Sequence, residues 1–265
     1  MEFLRKTKYS MDDLLQIMRI LRAPNGCPWD KEQTHESIRK NFIEETYEVA
    51  EAIDNKDAGL LKEELGDVLL QVVFHAQIED ELGVFSFSDV ADGVCRKLIE
   101  RHPHIFGKTK ADTTQEVLRN WEDIKQKQKG VKNHSEVLLN VPRTLPSLMR
   151  CEKIQQRAAK AGFDYHEVDG AYSDMKSEVA ELWQAIQNGC ASEVGEELGD
   201  LLFSVVNVAR FVKVDAENAL ENACDKFIRR FSKVEETAKK RGIDMQSAGI
   251  ESLDILWKEV KNKEQ

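Results

Sequence analysis

The sequence contains 265 residues, of which 32% are charged, and carries a formal net charge of −10. So acidic a surface disfavours nucleic acid and anionic membranes as partners. No apolar run approaches the roughly 18 residues of a membrane-spanning helix, and the first residues lack the apolar core and cleavage site of a secretory signal. The 5 cysteines are scattered without a CxxC pair, so we expect a reduced, cytoplasmic protein without a disulfide framework or a zinc site.

Helix-breaking residues are scarce, with 14 glycines and 5 prolines, and no segment alternates as a strand would. In the first half, apolar residues recur at helical spacing over 36–54 and again over 60–81. A third helix is predicted with Ser88 as its N-cap, and a fourth begins near Thr113 or Thr114. The sequence therefore predicts an all-α protein.

The second half of the chain repeats the first. Residues 63–77 and 196–210 are identical at nine of fifteen positions, at an offset of 133. A period this long is typical of a duplicated domain rather than a solenoid. Short breaks between long helices favour antiparallel neighbours, so each copy is predicted to form a helical bundle. The helices predicted in the second copy cover 172–188, 191–213, 216–240 and 246–263.

The join between the copies is marked by helix breakers. A glycine and two prolines fall at or near its ends, where they would interrupt a helix. We therefore predict a first helical domain over residues 1–130, a linker over 131–143 and a second helical domain over 144–265.

Four carboxylates recur with the same spacing in each copy. The first long helix carries two glutamates three residues apart, and the second carries a glutamate and an aspartate three residues apart. Side chains at i and i+3 share a helix face, so in an antiparallel hairpin both pairs can point into one cleft. The residues are Glu45, Glu48, Glu64 and Asp67 in the first copy and Glu178, Glu181, Glu197 and Asp200 in the second.

Converging carboxylates need a cation to stay ionised close together. Ligand sets made only of oxygen favour Mg²⁺ or Mn²⁺ over zinc, and a di-iron bundle would show Glu-x-x-His pairs that are absent here. The alternative is an ordinary solvated acidic face. Repetition of two such pairs on neighbouring helices favours the metal site.

Two further pairs of residues recur in each copy: a lysine and an arginine four residues apart, and a tryptophan followed four residues later by a lysine. Cations four residues apart on a helix can hold phosphate oxygens, and a tryptophan can stack on a base. The alternatives are a solvated face and a core tryptophan. The residues are Lys226, Arg230, Trp257 and Lys261 in the second copy and Lys97, Arg101, Trp121 and Lys125 in the first.

Several ordered motifs carry a family resemblance. There is no phosphate-binding GxxxxGK[ST] loop, no GxGxxG after a strand and no GxSxG elbow. The motifs present are CPWDKEQTH (27–35), EETYE (44–48), EELGD (63–67), RHPHIFG (101–107), EELGDLLFSVVN (196–207), DKFIRRF (225–231) and LWKEVK (256–261). Together they resemble, over nearly the whole chain, the MazG family within the all-α nucleoside triphosphate (NTP) pyrophosphatases.

The resemblance implies an activity and a set of roles. It implies a homodimer of helical bundles that hydrolyses NTPs and dNTPs to the monophosphate and pyrophosphate with Mg²⁺, in house-cleaning of the nucleotide pool. It also implies that the C-terminal copy is the main active site. By motif, the metal ligands and catalytic residues would be Glu178, Glu181, Glu197 and Asp200, and the triphosphate and base contacts Lys226, Arg230, Trp257 and Lys261.

Two positions depart from the expected pattern. Glu193 stands where family members can carry a lysine, and Ser177 stands where the first copy has Glu44. We expect water to attack the α-phosphorus, with Glu178 as the carboxylate that orients or deprotonates it. The alternatives are a hydrolase that releases the terminal phosphate, a regulator that binds nucleotides without turnover, and a structural bundle with solvated acidic faces.

Overall fold

The computed structural model describes residues 4–107, 109–111, 113–117, 120–121, 124 and 133–263. The chain divides into two compact units, Met1–Lys129 and Gly130–Gln265. In the described residues the regular structure of both units is helical throughout, which agrees with the all-α prediction. None of the described helices combines the length and apolarity needed to cross a bilayer.

The N-terminal unit is built around one long helical hairpin. The helices of this unit whose bounds are fully described are α1 (Met11–Arg22), α2 (Pro28–Glu32), α3 (His35–Asp54), α4 (Ala58–Glu81), α5 (Phe87–Arg101) and α6 (Pro103–Phe106). Helices α3 and α4 form the hairpin, and α1 packs against α4. The buried core between them consists of Met18, Ile38, Val73, Phe74 and Ile78.

The start of α5 differs from the prediction. Its N-cap is Ser86 rather than Ser88. The backbone N and the Oγ of Ser86 both donate to Oδ2 of Asp89, at 2.8 and 2.6 Å. An acidic residue three positions after a serine forms a capping box, and Ser88 has no such residue. The predicted fourth helix begins at Thr114 in the described residues.

The C-terminal unit repeats the hairpin and contains a second helix pair. Its helices are α7 (His134–Leu139), α8 (Ser147–Lys160), α9 (Val168–Asn188), α10 (Ala191–Phe211), α11 (Ala216–Lys240) and α12 (Gly249–Asn262). Helices α9 and α10 form the hairpin, α8 packs on α10, and α11 pairs with α12. A separate core joins α11 to α12 through Val234, Ala238, Leu256 and Val260.

Two features of this unit were not expected from the sequence. Helix α7 lies within the segment predicted as a linker, and Nη1 of Arg157 donates to the carbonyl of Val137. Helix α9 begins four residues before the predicted start, with Gly170 in its first turn. A Cβ at Gly170 would lie 2.8 Å from Cδ1 of Tyr165, so this glycine provides the space in which the tyrosine ring packs.

Candidate active site

Three carboxylates meet on the hairpin of the C-terminal unit. Glu178 of α9 and Glu197 and Asp200 of α10 each offer an oxygen within 4.8 Å of the other two. Glu178 and Glu197 are half-buried and Asp200 is exposed. The i, i+3 spacing on α10 therefore places two carboxylates on the face that meets α9, as the antiparallel hairpin requires.

Glu181, the fourth predicted carboxylate, lies beside this trio rather than within it. Its Oε1 accepts a hydrogen bond from Oγ of Ser177 at 2.7 Å. Its charge still reaches the trio, because it raises the pKa of both Glu178 and Glu197. The structure thus brings all four residues into one acidic region. Three of them converge, and Glu181 lies at the side, bonded to Ser177.

Burial and mutual repulsion make the cluster electrostatically unfavourable by itself. Burial is the largest cause that raises the pKa of Glu178, followed by the charge of Glu181. Burial also leads for Glu197, whose pKa is raised further by the charges of Glu181 and Asp200. Both shifts mean that negative charge is disfavoured here without a compensating cation.

The N-terminal hairpin has carboxylates at the same four positions, but a different set of three converges, because Glu48 takes part in place of the aspartate. Oxygens of Glu45, Glu48 and Glu64 lie within 4.8 Å of one another. Burial is again the largest cause that raises the pKa of Glu45 and of Glu64. Asp67 lies outside the trio, but its charge raises both pKa values. Each unit therefore has three converging carboxylates and a fourth close by.

The donor set of both clusters fits a hard divalent cation. All the donors are carboxylate oxygens, and hard cations prefer such ligands. No histidine or cysteine joins either trio. The raised pKa values of Glu178 and Glu197 agree with this, because a bound cation would offset the repulsion that causes part of the shifts.

The predicted phosphate contacts of the C-terminal unit lie on its second helix pair. Lys226 and Arg230 are on α11, and Trp257 and Lys261 are on α12. The ring of Trp257 lies 5.1 Å from that of Phe227 and packs against the α11–α12 core. In the part of the chain that the structure describes, neither Lys226 nor Lys261 has a hydrogen bond or ion pair to the acidic cluster.

The corresponding residues of the N-terminal unit are partly described. Lys97 and Arg101 are on α5. The guanidinium of Arg101 lies 5.2 Å from the ring centre of Trp121, a distance typical of a cation–π contact. Lys125 lies outside the described residues.

Sequence reasoning missed two residues beside the C-terminal cluster. Asp174 lies one turn before Glu178 on α9, and its charge contributes to the raised pKa of Glu178. Burial, and then the interaction with Asp174, raise the pKa of Tyr165. The i, i+4 spacing of Asp174 was available in the sequence, whereas Tyr165 precedes the helix and shows no spacing pattern.

Glu193 adds to the negative charge of the cluster. It lies one turn before Glu197 on α10, and its charge helps to raise the pKa of Glu197. A lysine at this position would have the opposite effect, because a cation stabilises a nearby carboxylate. This departure from the expected pattern makes the cluster more dependent on a bound cation.

A cavity lies next to each cluster. The cavity in the C-terminal unit has a volume of about 350 Å³ and includes Asp174 in its wall. The cavity in the N-terminal unit has a volume of about 260 Å³ and includes Glu45 itself. The C-terminal cavity is lined by α8, the segment after α8 and the α9–α10 hairpin. The N-terminal cavity is lined by α1, the segment after α1 and the α3–α4 hairpin.

Comparison with known proteins assigns the family. The model of the MazG nucleotide pyrophosphohydrolase domain matches the chain twice, over residues 33–106 and 171–235. The chain belongs to the MazG family. Both matches include the helix hairpin that carries the carboxylates, so the prediction of two tandem MazG-like helical domains is confirmed.

Full-length relatives in the MazG family are similar over nearly the whole chain. A protein of Thermotoga maritima named nucleoside triphosphate pyrophosphohydrolase/pyrophosphatase MazG is 46% identical over 250 residues, which cover 94% of this chain and 95% of the relative. A nucleoside triphosphate pyrophosphohydrolase of Escherichia coli K12 is 44% identical over 259 residues, which cover 96% and 98%. The prediction of an enzyme of the pyrophosphohydrolase class is confirmed at the level of the family.

Proposed function

We propose that this protein hydrolyses nucleoside triphosphates to the monophosphate and pyrophosphate, with attack of water at the α-phosphorus. The observation that carries the proposal is the cluster of Glu178, Glu197 and Asp200, with Glu181 beside it. The names of the full-length relatives support the substrate class. Cleavage at the α-phosphorus and the metal dependence are our own inferences.

The trio is the proposed holder of Mg²⁺, with Mn²⁺ as a substitute. When bound there, the cation would neutralise charge on the phosphate oxygens and lower the pKa of an attacking water. The all-oxygen donor set of Glu178, Glu197 and Asp200 supports this choice. Glu193 adds negative charge nearby, which favours cation binding further.

Glu181 is the proposed residue that orients the water. The sequence favoured Glu178 for this role, but Glu178 is one of the three converging carboxylates. Glu181 stands beside them, and Ser177 fixes one of its oxygens at 2.7 Å. The other oxygen is therefore available to accept a proton or a hydrogen bond from water.

Lys226, Arg230 and Lys261 are the proposed partners of the triphosphate. Cations at helical spacing can stabilise the leaving pyrophosphate through charge-assisted hydrogen bonds. Lys226 and Lys261 are exposed, so both are accessible to a ligand. Trp257 would position α12 beside α11 through its packing against Phe227.

A homodimer is proposed for the protein in solution. The C-terminal hairpin exposes large apolar side chains, among them Trp183 at 60% and Leu202 at 49%. Helix α11 exposes Phe227 at 56%. Apolar faces of this kind mark association surfaces more often than free surface. Light scattering coupled to gel filtration tests the proposal, and a monomer across the micromolar range contradicts it.

Product analysis tests the function. Purified wild type and the variants Glu181→Ala and Glu48→Ala are incubated with Mg²⁺ and a panel of NTPs and dNTPs, and products are separated by ion exchange. If wild type and Glu48→Ala form monophosphate and pyrophosphate but Glu181→Ala does not, the C-terminal unit carries out the reaction. Loss in both variants assigns turnover to both units.

Three outcomes would contradict the proposal or one of its parts. Formation of diphosphate and phosphate would place cleavage at the terminal phosphate. Binding of nucleotides without any product would instead favour a regulator. Full activity of Glu181→Ala would contradict the assignment of the reaction to the C-terminal cluster.

A further inference from the structure

We propose that Ser177 is a positioning residue that holds Glu181 beside the trio of carboxylates on the C-terminal hairpin. The inference rests on the proposed function, because it assigns the residue that keeps the water-orienting carboxylate apart from the three that would hold the cation. It also accounts for a difference between the two units, which converge on different sets of three carboxylates.

One pair of equivalent glutamates takes different positions in the two units. At an offset of 133, Glu181 corresponds to Glu48. Glu48 belongs to the N-terminal trio, whereas Glu181 lies outside the C-terminal trio and Asp200 is the third member there. The hairpin and the sequence positions of the four carboxylates are the same in both units, so we attribute the difference to a neighbouring side chain.

The side chain one helical turn before this glutamate differs between the units. In the C-terminal unit it is Ser177, whose Oγ donates to Oε1 of Glu181 at 2.7 Å. In the N-terminal unit it is Glu44, and an ionised carboxylate has no proton to donate. Glu44 is paired instead with Lys40, whose Nζ lies 2.8 Å from its Oε1. The side chain at position 44 therefore offers Glu48 no donor that would hold it away from the trio.

Distance alone does not exclude Glu181 from the trio. Its charge acts on both Glu178 and Glu197 and raises the pKa of each. Residues at i and i+4 share a helix face, so Ser177 reaches Glu181 without any distortion of α9. Both side chains are exposed, so water competes for the hydrogen bond and the preference that the bond imposes is modest. We therefore expect effects of a few-fold rather than a complete loss.

The position of Glu181 determines what its carboxylate can do. A carboxylate next to a cation holds a proton less readily, because the cation stabilises the charged form. Glu181 is therefore a better acceptor for a proton from water when it stays beside the trio. Loss of the serine hydroxyl should let Glu181 turn towards the trio, so cation affinity should rise while turnover falls. A general loss of structure would lower both.

Binding of Mn²⁺ to the complete chain tests the position of Glu181 without any substrate. Ser177→Ala removes the hydroxyl and Ser177→Thr keeps it. Ser173→Ala is the matched control, because it makes the same change at an exposed residue one turn earlier on α9. All are made in a Glu64→Ala background, which disrupts the N-terminal trio. Calorimetric titration should show a Kd about threefold lower in Ser177→Ala and unchanged in the other two, as expected for the loss of one exposed hydrogen bond.

Steady-state kinetics at saturating Mg²⁺ test the consequence for the reaction. In the same background, Ser177→Ala should lower kcat for NTP hydrolysis about threefold and leave KM for ATP unchanged, because the hydroxyl bonds to Glu181 and not to the substrate. Ser177→Thr should restore kcat, and Ser173→Ala should match the parent. A fall in kcat together with a rise in cation affinity identifies a positioning residue.

The reciprocal change in the N-terminal unit tests the same rule independently. Glu44→Ser introduces a hydroxyl one turn before Glu48, and Glu44→Ala removes the same charge without adding a donor. In a Glu197→Ala background, which disrupts the C-terminal trio, Glu44→Ser should bind Mn²⁺ about threefold more weakly than Glu44→Ala. Equal binding by the two would contradict the proposal. This pair decides the question if circular dichroism shows that Ser177→Ala is misfolded.

Failure of the positioning role and failure of the proposed function look different. Equal Mn²⁺ affinity in Ser177→Ala and Ser173→Ala would overturn the proposal, and so would a loss of affinity that accompanies the loss of kcat. If wild type hydrolyses NTPs and Ser177→Ala keeps the kcat of its parent, the reaction stands and the positioning role is wrong. If wild type hydrolyses no NTP, the proposed function fails, whereas a higher Mn²⁺ affinity of Ser177→Ala would still support the restraint of Glu181 by Ser177.

Discussion

The two hairpins, α3–α4 and α9–α10, have carboxylates at the same four positions, but they differ in which three converge and in their surroundings. Both bring three carboxylates within 4.8 Å of one another. At an offset of 133, Phe74 in the N-terminal cavity corresponds to Asn207 in the C-terminal one, and Asn41 corresponds to Asp174. The cluster has been kept through the duplication while the cavity has changed. Cation binding is therefore expected of both units, and recognition of the same nucleotide is not.

The N-terminal cavity contains an unpaired amide oxygen. Gln71 of α4 is buried, and its Oε1 has no hydrogen-bond partner in the described part of the unit. The corresponding C-terminal residue is Ser204, whose Oγ donates to the carbonyl of Leu201 at 2.9 Å. The second helix of each hairpin therefore carries a different buried polar group.

The largest expected effect comes from removing one carboxylate of the trio. Glu197→Ala should lower kcat/KM for NTP hydrolysis at least about a hundredfold, because the charge stabilisation by a bound metal is worth several kcal/mol. Its counterpart Glu64→Ala should leave most of the activity if the C-terminal unit is the main active site. Equal losses in the two variants would mean that the units contribute equally.

The next effect concerns the stability of the metal-free C-terminal unit. The pKa of Glu178 is raised in the folded protein, chiefly by burial and then by Glu181. The folded state therefore binds this proton more strongly than the unfolded state, and stability falls as the pH rises from about 4.5 through the raised pKa. Glu178→Gln should have a higher Tm than wild type at pH 8 without metal.

Thermal unfolding at several pH values, with and without Mg²⁺, checks this expectation. The difference in Tm between Glu178→Gln and wild type should shrink as the pH falls towards 4.5. Added Mg²⁺ should raise the Tm of wild type more than that of the variant. A variant that is less stable than wild type at pH 8 without metal would contradict the repulsion described for the cluster.

A smaller effect is expected at Gly170. A Cβ at this position would lie 2.8 Å from Cδ1 of Tyr165, so Gly170→Ala should displace the ring from the cavity wall and raise KM for NTPs a few-fold. Gly195→Ala is the matched control, because nothing lies within 4 Å of its Cβ position. That change should stabilise α10 by up to about 1 kcal/mol. Equal KM values in the two variants would show that Tyr165 does not contribute.

The smallest expected effect is a difference between the two units in how much stability they lose as the pH falls. In the N-terminal unit the rings of His35 and His75 approach with 2.7 Å between their Nδ1 atoms, and Nε2 of His35 lies 2.7 Å from Glu79. Burial, and then the charge of His35, lower the pKa of His75. The stability from this group is present above pH 6.5 and is lost as the pH falls through that value towards the lowered pKa. The C-terminal counterpart of His75 is Val208.

Hydrogen exchange resolved along the chain measures this difference. Between pH 7.5 and 5.5, protection should fall more in α3 and α4 than in α9 and α10. His75→Val, which installs the C-terminal residue, should remove the difference. A C-terminal hairpin that responds as strongly as the N-terminal one would exclude the histidine pair as the cause.

The sequence allowed the fold and the acidic clusters to be predicted for a simple physical reason. Helical periodicity identifies which residues share a face, so Glu197 and Asp200 could be placed together before the structure was known. Spacing does not determine rotamers, so it could not show that Glu178 joins the trio while Glu181 lies beside it. Helix α5 begins after Ser86 rather than Ser88 because Asp89, three residues after Ser86, completes a capping box.

The cavity could not be predicted from spacing. Gln155 reaches Phe203 across 48 residues, and the Arg210–Asp164 pair joins residues 46 apart. Such contacts depend on which helix faces pack together, and a single sequence does not encode that by periodicity. Lys226 and Arg230 share a face of α11 by the same spacing rule, but the rule does not say what that face meets.

The bonds from Asp164 to Arg210 and on to Asn207 have a consequence for evolution. Arg210 holds the oxygen of Asn207 in the cavity wall, and Asp164 holds Arg210. A mutation at either supporting position would free the amide and reshape the cavity while the acidic cluster stays intact. The N-terminal unit has Gln77 in place of Arg210, so the two cavities can diverge at positions outside the acidic clusters.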